Sequence, residues 1–502
     1  MKKQLNALLL LAALLAASLP SCGDSSAANT PADTQAPEGN NTVTEAAETE
    51  ETLKSLLPSD IDLGGRDIRI MNCYYFENDA FMLESEAATG DVVNDAVYNR
   101  NVDVESTLNV KFTYDDYFIP QKDAAPVIKK SVQAGSDDFD IVFGVQYNIV
   151  PKVLDNIFLN LEDAKYLNLD QPWWYQDYIK EMSMGEGKTF FVTGDITLGI
   201  LRNMSCMYVN KDLYKQNYES VDEIYDEVLS GKWTIDALAK RCAEMYQDLN
   251  GDGKKDEDDR YGIGVITANL TDHFTYDAGI RATSRDENNI PYITMNNEQT
   301  VTWTQKLYSL YYENPGVFVF PADYNSLDVV MPNKLNANEL LYLPGWFYTS
   351  ELLRNMEVDY AVIPFPKYDE SQETYLSLAH DISIICCVPG TVSDLDGISA
   401  VMEAMAFDGY RDVLPAYYEV AVKVKYSRDS TDAAMQILDL IHDNSTTDFV
   451  YIYNYAMNGL GLIERDLMGG KKADFASAYA KKEKTCLKKL DELIASYTEI
   501  EG

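Results

Sequence analysis

Histidine is nearly missing from this 502-residue chain, and the three present, His273, His380 and His442, leave little material for a histidine-rich metal centre or an imidazole proton shuttle. Cysteine is sparse too. Six of the seven, Cys73, Cys206, Cys242, Cys386, Cys387 and Cys486, are scattered without a C-x-x-C pair or any other metal spacing, unlike a disulfide framework. Basic charge is in deficit, with 41 Lys and Arg against 81 Asp and Glu and a net charge of −40. A surface that acidic repels phosphate backbones, which excludes nucleic acid as a partner. The only long apolar run, Leu5 to Leu19, is too short to span a bilayer as a mature helix. No G-x-S-x-G, H-E-x-x-H, G-x-G-x-x-G or P-loop pattern occurs. Carboxylates are so abundant that a chance pair carries no weight as a glycosidase signature.

What is present begins with a leader. Lys2 and Lys3 precede the apolar run, and Leu19-Pro20-Ser21-Cys22 closes it in the manner of a bacterial lipobox. Residues 1–21 therefore read as a lipoprotein signal peptide, with Cys22 as the lipidation site. An acyl chain there anchors the protein on the extracellular face of the membrane, or the periplasmic side where an outer membrane exists. The alternative is an ordinary secretory signal with a chance cysteine. Residues 22–58 are rich in Ser, Thr, Ala, Asn, Pro and Glu and hold no aromatic residue. Such a segment cannot bury enough surface to offset its ordering entropy, so it reads as a disordered acidic tether.

From residue 59 onward the pattern is α/β. Asp67 to Met71 reads as a strand, Asp91 to Leu108 as a helix capped by left-handed Asn109, and Val110 to Tyr114 as a second strand. A helix near Ala124 to Ala134, closed by Gly135, leads to the strand Phe139 to Phe143. That βαβαβ order calls for parallel strands with right-handed crossovers and a ligand edge at their carboxyl ends, where Tyr147 would sit. Cys206 to Val209, Tyr261 to Ile266, Tyr360 to Ile363 and Ile382 to Val388 read as further strands; Ile235 to Gln247 and Asp396 to Phe407 read as helices. Trp233 before Thr234 has the form of a hydrophobic staple ahead of a helix N-cap. The last part is mainly helical.

These residues carry a family likeness. The run Gly90-Asp-Val-Val-Asn-Asp-Ala-Val-Tyr-Asn-Arg-Asn101, with Leu108-Asn-Val-Lys-Phe112, resembles the N-terminal lobe of bacterial extracellular solute-binding proteins, the clostridial, sugar-binding family 1-like lipoproteins of ABC transporters. Asp138 to Val142, Tyr208 to Leu213, Trp233 to Leu238, Gly345-Trp346 before Asp359 to Lys367, and Lys425 to Asp429 continue it in the same order. The resemblance implies a type-II periplasmic-binding-protein fold, two α/β lobes around a ligand cleft with a helical C-terminal part. It divides the chain into an N-terminal lobe of 59–193 and 382–412 and a C-terminal lobe of 194–381 and 413–498. It implies a monomer, not an enzyme, that captures a sugar or oligosaccharide and delivers it to ABC permease subunits. The alternative is a surface carbohydrate-active enzyme, or a glycan-capturing lipoprotein without a transport role.

A sugar needs flat aromatic faces for its C–H side and carboxylates or amides for its hydroxyls. The resemblance places Trp346 as a stacking residue, the alternative being a packing tryptophan. Of Trp173 and Trp174, adjacent side chains point to different sides, so at most one is expected at the cleft. Asp195 and Asp381 fall where the family's chain crosses between lobes, and each is a ligand, hinge or capping candidate.

A separate signal is Asp248-Leu-Asn-Gly-Asp-Gly-Lys-Lys-Asp-Glu-Asp-Asp259. Asp248, Asn250, Asp252, the Lys254 carbonyl, Asp256 and Asp259 stand at the ligand positions of an EF-hand loop, with Gly253 at the sharp turn. A structural Ca²⁺ is expected there, tying a helix to a strand. The alternative is a solvated acidic turn.

Overall fold

The computed structural model describes residues 55–500 other than 77–78, 80–81, 86, 115–117 and 423–430. The leader, Cys22, the tether up to residue 54 and the Lys425 to Asp429 motif lie outside the described residues.

Strand β1 (Arg66–Tyr74) opens the chain's first sheet. Helix α1 (Val92–Leu108) follows, started by the Asp91 carboxylate accepting from the Val93 and Asn94 amides and stopped by Asn109 at φ 51°. Strands β2 (Val110–Thr113) and β3 (Phe118–Pro120) precede α2 (Gln121–Ala134), which ends on Gly135 at φ 66°. Every residue of β4 (Ile141–Val145) is buried. Both β2 and β4 pair in parallel with β1, giving the order β2-β1-β4. The βαβαβ reading therefore holds; β3, parallel to the far end of β1, is an addition the sequence did not signal.

The chain then crosses to a second sheet made of β5 (Ser205–Asn210), β6 (Tyr261–Ile266), β7 (Val317–Phe320), β8 (Leu340–Trp346) and β9 (Tyr360–Ile363). Its order is β9-β5-β8-β6-β7. Strands β8, β6 and β7 run parallel, while β5 is antiparallel to both of its neighbours. Helix α3 (Ile235–Met245) leads into β6, its N-cap Thr234 accepting from the Ala237 amide and the staple Trp233 fully buried. Helix α4 (Asn269–Asp277) follows β6 and is buried along its whole length. The chain returns through β10 (Ile384–Cys387), which adds antiparallel to β4.

The remainder is helical. Helix α5 (Leu395–Asp408) packs on α1, α6 (Thr431–Asp443) packs on β9, and α7 (Phe475–Thr498) touches both the helix Glu298–Tyr308 and the turn Val150–Asp155. This tail thus grips elements attached to both sheets. All six cysteines among the described residues are buried and free. No helix among the described residues is long and apolar enough to cross a membrane.

Candidate functional site

The loops at the carboxyl ends of β1 and β4 face those of β6, β7 and β8 across a cleft. Two adjoining cavities of about 560 and 730 Å³, open mouths included, occupy it and share Tyr75, Asn269, Tyr324, His380 and Ile382. The first also takes in Asp79, Arg202, Asp328, Trp346 and Tyr348. The second takes in Tyr147, Asp381, Tyr455 and Arg465. The cleft therefore holds Trp346 in its first cavity and Tyr147 and Asp381 in its second.

Trp346 ends β8 and is 7% exposed. Its indole N–H donates to His273 Nε2 at 2.6 Å, and the rings of His273 and His380 stand edge-on to it, each with centroids 5.5 Å away. Burial, with the nearby His380 and Arg465 charges, holds the His273 pKa far below its ordinary value, so the ring is neutral and Nε2 can accept. Trp346 is at once a wall of the cavity and a packed side chain. Asp381 sits 2.9 Å from His380 Nδ1. Burial works against its charge, but His380 and Arg465 outweigh burial and hold its carboxyl below the usual range. Arg465 in turn is paired with Asp272, whose carboxyl burial pushes up to about 6 against the pull of Arg465.

Three links join the walls. The Tyr75 and Tyr324 hydroxyls meet at 3.1 Å, Arg202 holds Asp79 at 3.1 Å and Glu351 at 2.8 Å, and Arg354 reaches Asp91 at 3.0 Å. Sequence reasoning missed Tyr75, Asn269, Tyr324, Arg202 and Arg465. Tyr75 directly follows β1, so the rule that ligands gather at carboxyl ends of parallel strands could have found it. Tyr324 follows β7, a four-residue strand with no clear pattern of its own.

Three expected residues are not at the cleft. Trp173 and Trp174 are 1% and 2% exposed, and both indole N–H groups converge on the buried Glu403 of α5, at 3.1 and 2.9 Å. Buried indoles need an acceptor, and the irregular backbone here turns both toward the same carboxylate, against the strand-like alternation assumed for them. The neighbouring Gly194 is required, since a Cβ there would lie 2.1 Å from the Trp173 carbonyl. Asp195 lies on the crossing as expected, but its carboxylate accepts from the Tyr175 hydroxyl at 2.8 Å and faces His442 Nε2 at 3.2 Å. Burial of the His442 ring opposes its charge, yet Asp195 and then Asp443 prevail and push its pKa up to about 10. The group is a buried ion pair that fastens the crossing to α6.

The acidic loop lies between α3 and β6, as read from sequence. Its oxygens accept from its own backbone: Asp248 from the Gly251 and Gly253 amides, Asn250 from Asp252, and Asp252 from Lys254. Asp259 is fully buried and accepts from the Leu249 and Asp256 amides and the Tyr246 hydroxyl. Gly251 and Gly253, at φ 74° and 73°, supply the left-handed turns. The donor set is all hard oxygen, which suits Ca²⁺. Among the described residues no three His, Cys, Asp or Glu side chains are grouped as a metal would hold them.

Comparison with solved structures gives consistent relatives. The chain is similar to a cyclo/maltodextrin-binding protein complexed with maltotetraose, at 9% identity and a TM-score of 0.53, over 86% of this chain and 96% of the other. It is similar to the cyclic alpha-maltosyl-1,6-maltose binding protein from Arthrobacter globiformis, at 12% identity and 0.53, over 86% and 99%. It is also similar to UgpB from Mycobacterium tuberculosis in complex with glycerophosphocholine, at 12% and 0.50, over 86% and 99%. The chain has the periplasmic-binding-protein fold. The two neighbours with the higher score are named as binding proteins, not enzymes. No family model and no curated protein matches the sequence. In the periplasmic-binding-protein fold the cavities described above occupy the groove between the two sheets' carboxyl edges.

Proposed function

We propose that this chain is a solute-binding receptor that captures a sugar or oligosaccharide in the cleft and delivers it to an ABC permease. The observation that carries the reading is the cleft itself: a groove at the carboxyl ends of two parallel strand sets, walled by Trp346 and tyrosines and supplied with polar groups. Asn269 lines both cavities, and its Oδ1 is buried with no hydrogen-bond partner, an acceptor suited to a ligand hydroxyl. Two fold neighbours are named for binding maltodextrin-type sugars, which supports the same class. The lipid on Cys22 and the tether keep the receptor beside its permease on the outer membrane face. Loop Asp248 to Asp259 holds a structural Ca²⁺ through the side chains of Asp248, Asn250, Asp252, Asp256 and Asp259 and the Lys254 carbonyl.

Thermal-shift screening across a carbohydrate panel tests the reading, because a ligand that binds only the folded state raises the midpoint by mass action. At least one sugar should raise it, and chromatography should return that sugar unchanged. Cleavage products would favour the enzyme alternative, and no shift with any sugar would remove the carbohydrate reading. Cys22→Ala should move the protein from the membrane fraction to the soluble one; retention would refute lipid anchoring.

A further inference from the structure

The first cavity holds a carboxylate with nothing to neutralise it. Asp328 sits on the π-helical turn Ser326–Val330 and lines the cavity. It makes no hydrogen bond or ion pair among the described residues, and burial alone raises its pKa from the ordinary carboxylate value. The cation nearby, Arg202, is already shared between Glu351, at 2.8 and 2.9 Å, and Asp79, at 3.1 Å. Counting Asp79, Glu351 and Asp328 against Arg202 leaves this end of the cleft with an excess of negative charge. Phe76 and Tyr324 line the same cavity and offer ring faces or edges, while the ring of Tyr348 already carries the Arg202 guanidinium at 5.4 Å. The Asn269 Oδ1 adds a buried acceptor with no donor.

A partly buried carboxylate in such surroundings is stabilised by a cation brought to it, and aromatic faces add attraction for that cation. An ammonium group is all donor, which matches a set of unpaired acceptors. We propose that the ligand of this cleft carries a protonated amine that Asp328 receives beside Phe76 and Tyr324. The inference rests on the cleft being the ligand site, and under the carbohydrate reading it makes the ligand an amino sugar.

The test is calorimetric titration of wild-type protein and Asp328→Asn with three kinds of probe. These are glucosamine disaccharides, their N-acetylated and glucose counterparts of the same linkage, and spermidine as an amine that is not a sugar. The amine disaccharide should bind at least about tenfold tighter than its neutral counterparts, as a charge-assisted hydrogen bond allows. Asp328→Asn should abolish that preference, bringing the amine disaccharide and its neutral counterparts to the same affinity, while the thermal midpoint without ligand stays in place. Equal affinity for amine and neutral sugars, or a preference that survives Asp328→Asn, overturns the inference and leaves the carbohydrate reading standing. Binding of spermidine that is lost in Asp328→Asn, with no sugar bound, supports the inference and overturns the carbohydrate reading. A panel with no binder overturns both.

Discussion

Trp346 shows why one side chain can serve a site and a core together. Its indole forms a cavity wall, and its N–H holds the neutral His273. Trp346→Ala would remove about 3–5 kcal/mol of packing and so confound binding with folding. Trp346→Phe keeps most of the volume and leaves His273 Nε2 without its donor, at a cost of about 1–3 kcal/mol. Its expected outcome is a lowered but single thermal transition and sugar affinity reduced roughly tenfold by calorimetry, about 1.4 kcal/mol. Affinity equal to wild type would make Trp346 a packing residue only. His442 gives a different residue-scale prediction. Its pKa is raised from about 6.5 unfolded to about 10 folded, so the folded state holds the extra proton between those values. The Asp195 pair therefore contributes its full stability below about pH 6.5 and loses it as pH rises toward 10. Urea denaturation from pH 6 to 10 should show that decline, and His442→Gln should be less stable at pH 6 and flatter across the range. A wild-type profile that rises over this window would contradict the pair.

At the scale of elements, α5 is a pillar for the first crossing. The Glu403 carboxylate accepts from Trp173, Trp174 and the Asn168 side chain, so the loop ahead of the crossing is stitched to a helix more than two hundred residues away in sequence. Glu403→Leu strands two buried indole donors, each worth about 1–3 kcal/mol when unpaired, and releases the half-buried Asn168. Loss of several kcal/mol in denaturant unfolding and a shifted tryptophan emission are expected; near-wild-type stability would mean the indoles find other partners. The loop between α3 and β6 is the second case. Its carboxylates are turned to backbone amides, and a Ca²⁺ would compete for the same oxygens. Chelator should lower the thermal midpoint of wild-type protein but leave Asp252→Ala unchanged. Identical midpoints with and without chelator, and no heat on calcium titration, would make the loop a simple turn.

At the scale of the whole molecule, three links cross the cleft and would have to break for it to open. Tyr75 to Tyr324, Arg202 to Asp79 and Arg354 to Asp91 each join segments attached to different sheets. Hinge closure around a ligand is how a two-lobed cleft gains contacts on both sides. Tyr324→Phe keeps the ring and deletes one hydroxyl contact worth about 0.5–1.5 kcal/mol. Without ligand, X-ray scattering should give a larger radius of gyration than wild type, and saturating ligand should bring both to the same value. Apparent affinity should fall by no more than roughly tenfold, since only the closing equilibrium has changed. Equal radii in the unliganded proteins would show that the hydroxyl pair does not hold the cleft.

Local rules made the first lobe legible from sequence: Asp91, Asn109 and Gly135 bound their helices as caps do anywhere, and the strand read over Phe139 to Phe143 forms two residues later, as the buried run Ile141–Val145. The same rules located Thr234, β6 and β9, and the carboxyl-edge argument located Tyr147. These signals are short-range, carried by φ preferences, capping groups and hydrophobic period, so they survive without knowledge of the fold. What packs against what does not. That Trp173 and Trp174 meet Glu403, that Asp195 meets His442, and that Trp346 meets His273 depends on residues brought together from distant parts of the chain. Only the tertiary structure decided which of the candidate side chains face the cleft. The reason is physical: a tryptophan or carboxylate is equally suited to a ligand or to a buried partner, and the choice falls to whichever complementary group the fold sets within hydrogen-bonding distance.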